Sequence, residues 1–145
     1  MQIRIAIGAD HRGFELKQYL LTVTSIAGIT IEWLDCGTDS TERTDYPIYT
    51  DLVVEKVLAE QTRVGILLCG SGIGMSIAAN RYPGIFAALV WNDLVAQIAK
   101  QDDNANIIVL PANFIDSDQA IAIVKAWLTA TFKQGRYQQR LSMLD

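Results

Sequence analysis

Apolar residues along this chain switch repeatedly between two spacings. Near-alternation over Ile3 to Ile7 marks a first strand, and Thr30 to Asp35, Val64 to Cys69, Phe86 to Val90 and Asn106 to Leu110 read as four more. Between these runs, apolar positions return every three or four residues, the repeat of a helix with one buried face. The spacing predicts helices over Phe14 to Thr24, Ile48 to Glu60, Ser76 to Arg81, Asp93 to Gln101 and Ser117 to Thr131. Leu16, Tyr19, Leu20 and Val23 make one such face, while Leu52, Val53 and Val57 make another that Lys56 interrupts. Asp116 or Ser117 is placed to cap the fifth helix, and Gly135 breaks the chain before a last polar helix carrying Arg136, Arg140 and Leu144.

Strands and helices in regular succession define an α/β fold, expected here as three α/β/α layers around a five-stranded, Rossmann-like parallel sheet. Val64 to Cys69 is an unbroken apolar run, as a central strand buried on both faces requires. Ligands of such sheets bind beyond the carboxyl ends of the strands. Every unusual cluster of polar residues in this sequence falls at such an end.

Length and composition narrow the picture further. The 145 residues amount to one domain spanning 1–145, and with half of them hydrophobic the chain can bury a full core without disulfides or metal. A net charge of -4 argues against a nucleic-acid partner, whose phosphates demand a basic face, but leaves room for a small anionic ligand held by a few arginines. Met1-Gln2-Ile3-Arg4 leads straight into the first strand without a signal-peptide pattern, and no apolar run approaches the roughly 20 residues of a membrane span. The only cysteines, Cys36 and Cys69, lie at different strand ends, so no disulfide is expected and a reducing cytoplasm fits.

The third strand runs into Cys69-Gly70-Ser71-Gly72-Ile73-Gly74-Met75-Ser76, a glycine-rich turn that opens a helix. Glycines let backbone N–H groups approach a ligand, and a helix N-terminus adds positive potential, so the turn suits a phosphate or a developing oxyanion. Gly70 and Gly72 also match part of the dinucleotide-binding fingerprint, with Asp93 about 20 residues on. Met75 at the third glycine position, and a turn after the third strand rather than the first, weaken that alternative. Cys69 at the mouth of the turn can serve as base or nucleophile if the amides lower its pKa, or can simply be packed. After the first strand come Asp10, His11 and Arg12, where Asp10 can cap a helix or orient a ligand and His11 is the chain's single histidine. After the second strand a polar loop ends in Asp45-Tyr46-Pro47, whose phenol can close over a substrate. Arg136 and Arg140, four apart, project from one helix face and can grip one phosphate or merely face solvent.

Four ordered segments resemble the ribose-5-phosphate isomerase B family, which includes allose- and galactose-6-phosphate isomerases. They are Gly8-Ala9-Asp10-His11-Arg12-Gly13-Phe14-Glu15-Leu16-Lys17, Glu42-Arg43-Thr44-Asp45-Tyr46-Pro47, Cys69 through Asn80, and Gly135-Arg136-Tyr137-Gln138-Gln139-Arg140. The resemblance implies interconversion of ribose 5-phosphate and ribulose 5-phosphate through an enediolate, with Cys69 carrying the proton and no metal or organic cofactor. It implies that Gly70, Gly72, Gly74 and the Ser71 hydroxyl stabilise developing charge, that Asp10 and Tyr46 contact sugar hydroxyls, and that His11, Arg136 and Arg140 hold the phosphate. It also implies sites shared between two chains, hence a homodimer or a dimer of dimers.

The departures from the family pattern bear on ring opening and on phosphate binding. Asp102-Asp103 stands where the family usually carries a His-Asn pair whose histidine helps to open the sugar ring. Asp102 is therefore expected as a proton-transfer residue and Asp103 as a substrate contact. Asn113 replaces an arginine used toward phosphate in the family, and Tyr137 replaces a histidine of the last motif. Two further readings stay beside the favoured one: an isomerase for another aldose phosphate, such as allose or galactose 6-phosphate, and a sugar-phosphate or nucleotide-binding protein without turnover.

Overall fold

A computed structural model describes every residue from Met1 to Asp145. Its strands are β1 (Gln2–Ala9), β2 (Ser25–Ile26), β3 (Ile29–Asp35), β4 (Val64–Cys69), β5 (Ala87–Leu89) and β6 (Ile107–Pro111), in the spatial order β2-β3-β1-β4-β6-β5. Its helices are α1 (Phe14–Leu21), α2 (Tyr46–Leu58), α3 (Ile73–Ala79), α4 (Asp93–Asp103), α5 (Ser117–Thr129) and α6 (Arg136–Leu141).

The five expected strands are present and mutually parallel, but a sixth corrects the expectation of a five-stranded, wholly parallel sheet. It is β2, which pairs antiparallel with β3 across Ala27 and Gly28. Both turn residues have left-handed φ, 51° and 79°, the geometry of a two-residue hairpin whose twist matches the strands it joins. A strand of two residues shows no alternation, so the pattern of apolar positions could not reveal it.

Burial follows the sequence pattern closely. All six residues of β4 are buried, as its unbroken apolar run requires. On one face of the sheet, Ile5, Ile7, Ile66, Leu68, Ile108 and Leu110 pack under α1, α4 and α5, with Trp127 donating its indole N–H to the carbonyl of Ala105 at 2.9 Å. On the other, Ala6, Leu67, Cys69, Ile107 and Val109 meet Val53, Val57, Met75 and Ala79 of α2 and α3. One charge enters this core. Lys17 is 0% exposed, and its Nζ donates to both carboxylate oxygens of Asp35, at 2.9 and 3.1 Å, at the carboxyl end of β3.

The strand order fixes where a ligand can sit. From β1 the chain first crosses to β3 on one side and later to β4 on the other, so the turns after β1 and β4 diverge and leave a crevice between them. No helix is long and apolar enough to cross a membrane.

Candidate active site

The turn after β4 begins with Cys69, whose carbonyl accepts from Ala112 N–H at 2.9 Å, while the Gly70 carbonyl accepts from Asn113 N–H at 3.0 Å. These bonds tie the end of β4 to the loop after β6. On the opposite flank, Asp10 N–H donates to the Leu68 carbonyl at 3.2 Å and ties β4 to the turn after β1. The turn then passes through Gly72, whose φ of 77° and close approach to Leu89 and Val109 admit no side chain, and enters α3 three residues earlier than the apolar spacing predicts. The Ser71 hydroxyl oxygen accepts from Ile73 N–H at 3.2 Å, so its own O–H remains available to a ligand.

A crevice at this point is lined by Asp10, Arg12, Tyr46, Cys69, Gly70, Ser71, Gly74, Asn113 and Phe114. Asp10 is 6% exposed; its Oδ1 accepts from the N–H groups of Arg12 at 2.9 Å and Gly13 at 3.2 Å, and Oδ2 carries no protein hydrogen bond. The carboxylate thus shapes the turn into α1 and still presents one oxygen to the crevice. Tyr46 is the first residue of α2, ahead of the expected start at Ile48, because Pro47 fits the first turn of a helix. Its ring lies against Gly74, where a Cβ would fall 2.6 Å from Cζ.

Cys69 sits where burial and the amides of the turn act in opposite directions. Burial raises its thiol pKa above the ordinary value, the nearby Asp10 charge adds to that rise, and the amides of Met75, Gly72 and Ser71 offset it only in part. In the resting chain the group is a thiol at neutral pH, because burial outweighs the amides that could have favoured the thiolate.

Six other candidates do not line the crevice of their own chain: Gly72, whose role is to turn the backbone, and His11, Asp102, Asp103, Arg136 and Arg140. Asp102 and Asp103 end α4, just before the amino end of β6, whereas Cys69 pairs with Pro111 at the carboxyl end of that strand. Four residue steps, about 13 Å, separate the two ends of β6. The Lys133 ammonium stands 2.9 Å from Asp102 Oδ1, within ion-pairing distance but off a hydrogen-bonding direction, while Asp103 is exposed and unpaired. Around the Tyr137 ring stand Lys133 Nζ at 5.0 Å, Arg136 Cζ at 5.2 Å and Arg140 Cζ at 5.3 Å. A hydrogen bond from Arg136 and the Lys133 charge lower the Tyr137 pKa. His11 flanks the crevice without lining it, its Nδ1 accepting from Thr44 N–H at 3.2 Å, which leaves Nε2 to carry the proton of the neutral ring.

Sequence reasoning gave no role to Arg12 or Phe114, both of which line the crevice. Arg12 sits within a segment that was singled out, and the close spacing of Asp10 to Gly13 was the signal that could have found it. Phe114 is 73% exposed and carried no signal.

Fold and crevice together define a Rossmann-like α/β protein with a buried thiol beside a glycine turn at the switch point of its sheet. The chain belongs to the Ribose/Galactose Isomerase family, whose model matches residues 5–144. It is 39% identical over 141 residues to ribose-5-phosphate isomerase B of Escherichia coli K12, covering 97% of this chain and 93% of that protein. A solved ribose 5-phosphate isomerase from Thermotoga maritima is 46% identical with a TM-score of 0.89, covering 99% of this chain and 97% of that one. The type B ribose 5-phosphate isomerase of Trypanosoma brucei is 39% identical with a TM-score of 0.94 at the same coverage of both chains.

Proposed function

We propose that this protein interconverts ribose 5-phosphate and ribulose 5-phosphate, with Cys69 moving the proton. The observation that carries the reading is the meeting of Cys69, Gly70, Ser71, Asp10 and Tyr46 in one crevice, in a chain belonging to a family of sugar isomerases. In the forward direction the Cys69 thiolate takes the proton from C2 of the open-chain aldose. The C2–H electrons form the C1–C2 double bond, and the aldehyde π electrons move onto O1. The Ser71 O–H and the amides of the glycine turn meet that developing charge, the kind of contact that lowers such barriers most. The O2 proton then passes to O1, C1 takes the proton back from the Cys69 thiol, and the ketose carbonyl forms at C2. Asp10 Oδ2 and the Tyr46 hydroxyl orient the sugar hydroxyls. Because Cys69 rests as a thiol, only its thiolate fraction starts this sequence, and the rate rises with pH.

The working unit is a homodimer. Asp102, Arg136 and Arg140 lie away from the crevice of their own chain, so they act on substrate only when a second chain brings them to it. α2 and α3, which pack on each other, leave Ile48, Leu52, Ile73 and Ile77 exposed beside the site, an apolar face of the kind that pairs between copies. Asp102, whose Oδ1 stands 2.9 Å from the Lys133 ammonium, takes the place of the family's histidine, which marks ring opening as the step most changed from the family pattern.

The test is turnover of ribose 5-phosphate with chelator present, beside allose and galactose 6-phosphates. Conversion of ribose 5-phosphate is expected. Conversion of a hexose 6-phosphate alone would correct the substrate, and no conversion of any would overturn the reading.

A further inference from the structure

A sugar phosphate brings about two negative charges at neutral pH, and only one cationic side chain of this chain lines the crevice that holds Cys69: Arg12. Arg12 is exposed, and the backbone that carries it is held in place. The Arg12 N–H donates to Asp10 Oδ1 at 2.9 Å, and the next residue, Gly13, lies so close to the Leu68 backbone that the turn cannot drift. The side chain passes over the glycine turn, with Cδ 2.9 Å from where a Cβ of Gly70 would stand, and Asn113 Nδ2 is 2.8 Å from the same point. The guanidinium forms no ion pair with any carboxylate and no hydrogen bond within the chain, although the protein carries an excess of acidic residues. A planar five-donor group free of any acid, on a side chain that crosses the glycine turn beside a carboxamide donor, matches a phosphate monoester.

We propose that Arg12, assisted by the Asn113 carboxamide, recognises the phosphate of the substrate and sets the preference for phosphorylated over neutral sugars. This rests on the proposed isomerase reading and adds the group that selects its substrate class. Arg12 is a binding residue, so its loss acts on KM far more than on kcat.

The experiment compares wild type, Arg12→Gln and Arg12→Lys in two assays: kinetics with ribose 5-phosphate, and calorimetric binding of inorganic phosphate, which needs no turnover. Arg12→Gln is expected to raise KM and the phosphate dissociation constant about tenfold or more, with kcat within about threefold, and Arg12→Lys to fall between. The ratio of kcat/KM for ribose 5-phosphate to that for ribose should fall by a similar factor. Phosphate binding unchanged in Arg12→Gln would overturn the proposal. Phosphate binding lost in that variant, in a protein whose wild type turns over no sugar phosphate, would uphold Arg12 while removing the isomerase reading.

Discussion

Replacing Gly13 and Gly70, one at a time, by alanine separates what the turns do for the fold from what they do for the site. A Cβ at Gly13 would lie 2.4 Å from the Leu68 carbonyl oxygen and 2.7 Å from both its carbonyl carbon and its Cβ. Carbon and oxygen settle at about 3.3 Å or more, so the start of α1 and the end of β4 must part by nearly 1 Å. Such overpacking costs about 1–3 kcal/mol, and loss of the buried Asp10 N–H bond to Leu68 adds about 1–3 kcal/mol. The sum, roughly 2–6 kcal/mol, is a large share of the about 5–15 kcal/mol that holds a domain folded. At Gly70 the same methyl meets only Asn113 Nδ2 at 2.8 Å and Arg12 Cδ at 2.9 Å, the movable ends of two side chains. Gly70→Ala should therefore change stability by under about 1 kcal/mol. It should still cut kcat/KM, because the methyl stands in the crevice and displaces Arg12. Urea unfolding and steady-state kinetics on both variants check the pair. A Gly13→Ala variant within about 1 kcal/mol of wild type, or a Gly70→Ala variant as unstable as Gly13→Ala, would refute the packing argument.

Two further outcomes follow from buried ionisable groups. Burial raises the Cys69 pKa in the folded chain, so the folded state holds this proton more tightly than the unfolded state. That contribution to stability is fully present below the ordinary thiol pKa and is lost as pH rises through the folded value, while activity rises over the same range. Urea midpoints from pH 7 to 10 should fall more steeply for wild type than for Cys69→Ala, with Cys36, also raised by burial, supplying the remaining trend. The Lys17–Asp35 pair should respond unequally to loss of either partner. Lys17 is 0% exposed and Asp35 44%, so Asp35→Ala strands a buried ammonium and costs about 3–5 kcal/mol, whereas Lys17→Met leaves a carboxylate that water can reach and costs less. Chemical denaturation of the two variants checks the order, and equal losses would contradict it.

Most of the architecture was legible because it rests on long-range burial, which writes itself into residue spacing. β4 was readable from residue type alone, and of the two cap candidates, Asp116 and Ser117, it is Asp116 that caps α5, in a capping box that Gln119 completes. β2 was not, because its turn is Ala27-Gly28 rather than one of the asparagine- or aspartate-glycine pairs that announce such hairpins. α3 starts at Ile73 instead of Ser76 because Gly72, a residue read as loop, supplies the left-handed N-cap. At the site, Cys69, Gly70, Ser71, Gly74, Asp10 and Tyr46 converge because each stands at a strand end or helix start; the pattern placed the strand ends, while the helices carrying Tyr46 and Gly74 begin two and three residues ahead of it. The direction of the Cys69 pKa shift was beyond the sequence, since it depends on how completely α2 and α3 cover the thiol. The separation of Asp102, Arg136 and Arg140 from the crevice was equally hidden, because spacing along a chain does not say which end of a sheet a helix terminus reaches.

The central claim is that Cys69 carries the proton, and exchange at C2 tests it most directly. Ribose 5-phosphate is incubated in deuterium oxide with wild type or Cys69→Ala, each shown folded by its urea midpoint, and deuterium at C2 is followed by NMR. The account predicts ready incorporation with wild type and none above background with Cys69→Ala. Incorporation by folded Cys69→Ala at the wild-type rate would contradict it.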